Sequence, residues 1–396
     1  MLRSMLTSLV LLSNAGALSP EDAVDAAISV HPTVLAAQAE LARARGAHAQ
    51  LGGLLANPSV SGRLATDGSR SGAALTQPIS LTAEGKAARK AAHSRVQAAT
   101  HALRRARLEA SADTRSLYVD AVVATALVDV ARSGLDLSAR LHQAARRRLE
   151  EGAISELDLR LARLSEVDAA RALLDAQAVQ AEALQQLSSA VGALVDPDTL
   201  TADPRSAAPT PTTATHARSD LLAARTRLTA ADAELARQRA ATLSPVGVGA
   251  FVGTEDGETF AGPTLQLTLP VFDRNQAARS EAAADRAVAQ GSTTALAARI
   301  ASEQHNAADR TRAADALEAL LEADPTADAQ AALDSLEAGY AAGELDLPQT
   351  LLLQRQVLDG QAAIVHLQAA IARARIDLLL ATDDPSLTKN VEHGVR

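Results

Sequence analysis

Apolar and polar residues alternate with two different periods along this chain, and each period predicts one kind of element. From Leu353 to Leu378 the apolar and small positions are spaced by four and three residues in turn, as in a coiled coil. From Thr264 to Leu269 polar residues and leucines strictly alternate, as in a strand with one apolar face. The pattern therefore predicts long packed helices with a few strands.

The two halves of the chain repeat one order of predicted elements. The segment LTQPIS at Leu75 matches LTLPVF at Leu267, and LEEGAISELDL at Leu149 matches YAAGELDLPQT at Tyr340, at nearly the same offset. Such self-similarity indicates a duplication. Each copy is predicted to run helix, strand pair, long helix and return helix, with a break before Pro325 in the second long helix. The fold class is thus mainly α with a small β part.

Turn residues and prolines set the predicted bounds. The first helix starts after Ser19, a good N-cap, and is expected to continue to about Leu55. Pro78 and Pro270 are expected to end strand pairing at the strand-to-helix transitions, because proline cannot donate to the ladder. The predicted segments are a signal peptide at 1–17, a first repeat at 18–195, a linker at 196–217, a second repeat at 218–383 and a C-terminal tail at 384–396. The first repeat is predicted to contain strands at about 59–65 and 73–81 and a long helix at about 84–151. The second repeat is predicted to contain strands at about 246–253 and 259–269.

The N-terminus has the features of a secretory signal. Arg3 precedes a mostly apolar stretch from Met5 to Leu12, and Ala15-Gly16-Ala17 has the small-x-small form of a cleavage site. These features predict export, the alternative being a frayed N-terminal helix of a cytoplasmic protein. No later apolar stretch is long enough to predict a membrane-spanning helix.

Composition narrows the function classes. Aromatic residues make up 1% of the chain, so close packing through alanine is expected in place of a core of large rings. The net charge of −9, without a basic stripe, argues against nucleic-acid binding, and the lack of cysteine excludes disulfides and thiolate metal sites. The nine histidines are scattered, and no catalytic triad or phosphate-binding loop is visible. We therefore expect no enzyme activity, cofactor or stable metal site.

The predicted strands cannot form a closed structure within one chain. Four strands leave two open edges, and the smallest filled barrels need about eight strands. Three chains would supply twelve strands and remove every edge, while their helices pack into a tube. The alternative is a non-channel periplasmic coiled-coil scaffold or adaptor-like protein in which the hairpins are only caps.

The order of these elements resembles the TolC-like outer-membrane efflux factors, over about residues 20–382. The matching segments are LSPEDAVDAAISVHPTVLAAQAEL, QPISLTAEGKAARKAA, LPVFDRNQAARSEAAA and GAISELDL. PVFDRNQ and EGKAAR are most similar to the CzcC-like heavy-metal branch. The resemblance implies a homotrimeric 12-stranded β-barrel in the outer membrane of a Gram-negative bacterium, in contact with its lipid, and an α-helical coiled-coil tunnel in the periplasm. It also implies a passive duct that serves a periplasmic adaptor (membrane fusion protein) and an inner-membrane pump, with a heavy-metal RND pump and divalent metal cations as one option.

The strands depart from typical outer-membrane barrels in two respects. They are short for spanning strands, and they lack the usual tyrosine and tryptophan girdles. Only Phe251, Phe260 and Phe272 are available as girdle residues.

The turns between long and return helices are predicted at Gly152 and Gly343, because a tight reversal often needs a positive φ. The resemblance places these turns at the periplasmic tip and matches Asp158 and Tyr340 to gate residues. Leu345 and Gln349 stand where the family has an Arg and a second Asp, which puts a full salt-bridged gate in doubt. The predicted tip residues are Glu151, Glu156, Asp158, Tyr340, Glu344 and Asp346. The alternative is a solvated helix end with ordinary surface acids.

Overall fold

The structure of the chain is a computed structural model. It describes residues 17–50, 57–64, 70–79, 83–201, 203–211, 217–241, 246–255, 258–266, 274–321 and 325–388. Pro270 and residues 1–16 of the predicted signal peptide lie outside these ranges.

Helices account for most of the described chain. The α-helices are α1 (Pro20–Val30), α2 (Pro32–Gln50), α3 (Glu84–Glu150), α4 (Glu156–Val191), α5 (Ser219–Ala240), α6 (Gln276–Glu318), α7 (Pro325–Ala342) and α8 (Leu347–Thr382). Short 3-10 turns cover Pro197–Thr199, Pro204–Ala207, Ala319–Leu321 and Pro385–Thr388. None of these described helices is long and apolar enough to cross a membrane.

Prolines interrupt the helices at two places, of which the sequence pattern predicted only the second. The first helix is not continuous: α1 ends at Val30 and α2 begins at Pro32, with His31 extended between them (φ −64°, ψ 125°). A proline disfavours helical backbone in the residue before it, which breaks the helix at His31. The break expected before Pro325 is present, since α6 ends at Glu318 and α7 starts at Pro325.

The strands form one antiparallel sheet in the order β1 (Ser59–Leu64), β2 (Arg70–Ile79), β3 (Val246–Glu255), β4 (Glu258–Gln266). The β2–β3 pairing joins the two repeats, and β1 and β4 are the edges within the chain. Pro78 does not end the pairing as expected, because it stands opposite Gly247 and is followed by the pair Ile79–Val246. It is the penultimate residue of β2, so it still marks the approach to α3.

The chain divides into two compact units that cut across the sequence repeats. One contains residues up to Leu35, Ala106–His216 and the chain from Ala301 onward, and the other contains Ala36–Arg105 and Ala217–Ile300. Each unit therefore combines segments of both repeats.

The core of the first unit is centred on Tyr118 of α3, which is fully buried. Its hydroxyl donates to the carbonyl of Leu18 (2.8 Å) and accepts from the amide of Thr201 (3.0 Å). Ala207 is also buried, and its carbonyl accepts from Arg115 at 2.7 Å. Thr201 and Ala207, which belong to the segment predicted as a linker, are therefore packed onto α3.

Polar side chains also lie in the helix packing of this unit. Gln354 of α8 is buried, and its amide donates to the carbonyl of Gly134 (3.2 Å) and to Oγ of Ser138 (2.9 Å) on α3. Gln361, one heptad further along α8, is buried as well. The contact between α3 and α8 thus depends on amides as well as on the apolar heptad positions.

Candidate functional site

Both predicted reversals between helices contain a glycine with left-handed backbone. Gly152 lies between α3 and α4 with φ of +73°, and Gly343 lies between α7 and α8 with φ of +81°. A residue with a Cβ atom is strained in this conformation. The local chain reversal therefore requires glycine at these two positions.

The residues after Gly152 start α4 with a reciprocal cap. Oγ of Ser155 accepts from the amide of Asp158 (3.2 Å), and the Asp158 carboxylate accepts from the amide (3.0 Å) and hydroxyl (2.7 Å) of Ser155. These hydrogen bonds lower the pKa of Asp158, the side-chain bond having the larger effect. Asp346 caps α8 in a simpler way, by accepting from the amide of Gln349 at 2.8 Å. Asp158 and Asp346 thus take part in the N-terminal caps of α4 and α8.

This cap should show a defined pH dependence. Because the pKa of Asp158 is lowered on folding, its stabilisation is present above the ordinary value of 3.8 and is lost as the pH falls through the lowered value. At neutral pH, hydrogen exchange of the first turn of α4 should be slower in the wild type than in Asp158→Asn. At pH 3.8 the wild type should continue to exchange more slowly than the variant. The difference should disappear only at lower pH. A difference that vanishes well above pH 3.8 would contradict the assignment.

Tyr340 of α7 is fully buried, among residues such as Leu141, Leu333 and Leu347. Burial raises the pKa of its hydroxyl, and the nearby Arg148 opposes that rise. The hydroxyl makes no hydrogen bond within the described part of the chain. It is therefore not bonded to Asp158 in the single chain.

Arg148 is the residue at the tip that sequence reasoning missed. Its guanidinium lies 5.0 Å from the centre of the Tyr340 ring, and Nη1 donates to the Tyr340 backbone carbonyl at 3.0 Å. Arg148 thus joins the end of α3 to the end of α7. Arg146, Arg147 and Arg148 are consecutive in the sequence, and nothing in that run indicates which one faces inward.

The remaining predicted acids of the tip are solvated in the single chain. Glu151, Glu156 and Glu344 are exposed, and Glu156 pairs only with Arg160, one helical turn along α4 (3.3 Å). The two turns therefore carry an exposed acidic surface next to the buried contact between Arg148 and Tyr340.

The second notable feature of the fold is the sheet, whose two faces differ in chemistry. The pairs Val60–Leu75 and Val248–Leu265 lie on one face, where Val60 is 76% exposed and Leu265 is 75% exposed. A group of apolar side chains at this level of exposure is typical of a surface that contacts another protein or a membrane. This face is suited to contact with lipid.

The opposite face is rich in glycine and also carries polar, charged and phenylalanine side chains. Gly247, Gly249 and Gly253 of β3 lie on it, and a Cβ atom at Gly249 would come within 2.0 Å of the Leu75 carbonyl oxygen. Glycine at this position allows a close approach of the neighbouring backbone.

A stripe of exposed apolar residues also runs along α4. Leu157 and Leu164 are one heptad apart, as are Val167 and Leu174, and all four are more than 60% exposed. Seven-residue spacing of apolar side chains is typical of a helix that packs against other helices.

Comparison with known proteins connects these features. Residues 23–193 match the family model described as outer membrane efflux protein. This match covers 171 of the 396 residues and shows a similarity to outer membrane efflux proteins over the first repeat. No curated protein sequence gives a significant match.

Solved structures of outer membrane proteins share this fold over nearly the whole length of the chain. The outer membrane protein VceC from Vibrio cholerae superposes with a TM-score of 0.70 at 19% identity, covering 91% of this chain and 95% of its own. The Campylobacter jejuni CmeC outer membrane channel gives 0.72 at 16% identity, covering 94% and 88%. The Neisseria gonorrhoeae MtrE outer membrane channel, in its open state, gives 0.71 at 17% identity, covering 92% and 89%.

Together, the family match and the solved structures support a coarse function and a location for the chain. It is a component of an efflux channel of the outer membrane, and its helical part lies in the periplasm. The family match and the structural matches are to TolC-like channels in general, so membership of the heavy-metal branch stays a prediction.

Proposed function

We propose that three copies of this chain form a passive exit duct, with a 12-stranded barrel in the outer membrane and a helical tunnel in the periplasm. The sheet is the observation that carries this proposal. Its edges, β1 and β4, have no partner strand among the described residues, and one of its faces is apolar and exposed. Pairing β4 of one copy with β1 of the next removes every edge and turns the apolar face toward lipid.

The helices support the same assembly. The exposed stripe of α4, which includes Leu157 and Leu174, has the spacing needed to pack against a helix of a neighbouring copy. A periplasmic scaffold could use this stripe as well, but it would leave the apolar face of the sheet in water. The duct accounts for both surfaces.

The tip supports a proposal about what enters the duct. Glu151, Glu156 and Glu344 would be present three times around its mouth and would attract cations. Divalent metal ions are one candidate cargo, and a periplasmic adaptor and an inner-membrane pump, in one version of the RND heavy-metal type, are the proposed partners. Within the described residues no three His, Asp or Glu side chains converge as metal ligands, and a passive duct needs no tight site.

Disulfide cross-linking tests the trimer directly, because the chain has no cysteine of its own. Val60→Cys on β1 would be combined in turn with cysteine at Thr259, Ala261, Pro263 or Leu265 on β4, all on the apolar face. Within one chain β1 and β4 are three strand spacings apart, roughly 14 Å, which is too far for a disulfide. Any disulfide must therefore join two copies.

The expected product after oxidation in membranes is a ladder that ends at three chains, for one or two of the four pairs. Single-cysteine variants are the control and should give no such ladder. Oxidised dimers as the largest species, or larger open polymers, would contradict a closed trimer. Recovery of the protein in the soluble fraction without detergent would favour the periplasmic scaffold instead.

A further inference from the structure

Two of the three phenylalanines meet on the glycine-rich face of the sheet. The rings of Phe251 and Phe260 are 5.8 Å apart, edge to face. Each stands opposite a glycine, Phe251 next to Gly262 and Phe260 next to Gly253. A Cβ atom on these glycines would lie only 3.0–3.1 Å from the ring, so the rings cover the neighbouring backbone. They form an apolar wall in a chain that has few aromatic residues.

An open trough lies beside this wall. The register aligns Arg63, Gly72, Gly253 and Phe260 in one row across the four strands. Because the two central positions are glycines, β2 and β3 contribute no side chain of this row to the space between the cation on β1 and the ring on β4. The resulting trough has a volume of about 440 Å³ and is lined by both phenylalanines and by Arg63.

The charges in the trough are unequal. Arg70 also lines the trough, but it forms an ion pair with Glu255, which stands directly opposite it on β3. Arg63 is exposed and makes no ion pair or hydrogen bond within the described residues. Among the described residues that line the trough, Arg63 is therefore a cation without an ion-pair partner, and it lies across from an aromatic pair.

We propose that this trough binds a small organic anion with a flat apolar body, such as an aromatic carboxylate, within the lumen of the barrel. The apolar body would lie against Phe251 and Phe260, and the carboxylate would accept hydrogen bonds from the Arg63 guanidinium. This inference rests on the proposed function, in which the glycine-rich face lines the lumen. It adds a selective site to a duct that otherwise needs none.

Block of the ion current by 2-naphthoate tests the site in the full-length protein in planar bilayers. The half-blocking concentration should rise about tenfold in Arg63→Gln, because a charge-assisted contact is lost. Arg43→Gln is the matched control, since Arg43 lies on an exposed surface of α2 and pairs only with Glu40. The neutral analogue 2-naphthalenemethanol should block more weakly in the wild type and should be insensitive to Arg63→Gln.

The variant Phe260→Leu tests whether the flat ring of Phe260 contacts the blocking molecule. It keeps an apolar side chain but removes the flat surface, so block by both probes should weaken severalfold. Conducting channels in which Arg63→Gln and Phe260→Leu are blocked like the wild type would overturn the site and leave the duct intact. A protein that forms no channel would overturn the duct, and the luminal placement of this site with it.

Discussion

A lysine at Val60 should almost abolish membrane assembly, whereas a lysine at the next residue, Ser61, should be tolerated. Both residues are exposed on the edge strand β1 but lie on opposite faces of the sheet, because successive side chains alternate. Val60 is on the apolar face, where a lysine would meet lipid at a cost of about 2–4 kcal/mol per chain near the membrane centre. Ser61 is on the glycine-rich face, which is expected to line the lumen.

The measurement is the fraction of each variant recovered from membranes as an SDS-resistant oligomer. The Ser61→Lys variant is the matched control, since the strand, the depth and the introduced charge are nearly the same. Equal losses in the two variants would contradict the assignment of the faces. A larger loss in Ser61→Lys would mean that the sheet is turned the other way.

Replacing Arg148 with glutamine should raise the single-channel conductance severalfold, whereas replacing Arg147 should leave it nearly unchanged. Arg148 donates to the Tyr340 carbonyl and lies over the Tyr340 ring, so it holds the ends of α3 and α7 together beside the two turns. A hydrogen bond to a charged group contributes about 1.5–3 kcal/mol, and a cation–π contact about 0.5–2 kcal/mol. If only the closed tip makes these contacts, their loss shifts the population toward the open tip.

Conductance in planar bilayers is the direct readout. Arg147 is exposed and is the matched control for the lost charge. Tyr340→Phe should have little effect on its own, because its hydroxyl makes no hydrogen bond within the described chain. Unchanged conductance in Arg148→Gln would place the contact away from the constriction. A large effect of Tyr340→Phe would indicate a bond that forms only between subunits.

The sequence alone determined the features that depend on local chemistry. The duplication, the long helices and the glycines at both reversals were predictable because periodicity and backbone strain are properties of short segments. Gly152 and Gly343 could be located since only glycine adopts their left-handed backbone without strain. The break before α2 was equally local, and Pro32 was the overlooked signal.

The tertiary structure decided everything that depends on which segments meet. Alternation predicted a two-faced strand, but only the register between β2 and β3, from different repeats, aligned Arg63, the glycines and Phe260 in one row. Three consecutive arginines looked equivalent until the packing of α3 against α7 placed Arg148 on Tyr340. The sequence pattern indicated a resemblance to TolC-like factors because the order of its elements is a local property that both repeats share. The lining of the trough and the contact at the tip come from residues far apart in the chain, and no local pattern records such pairings.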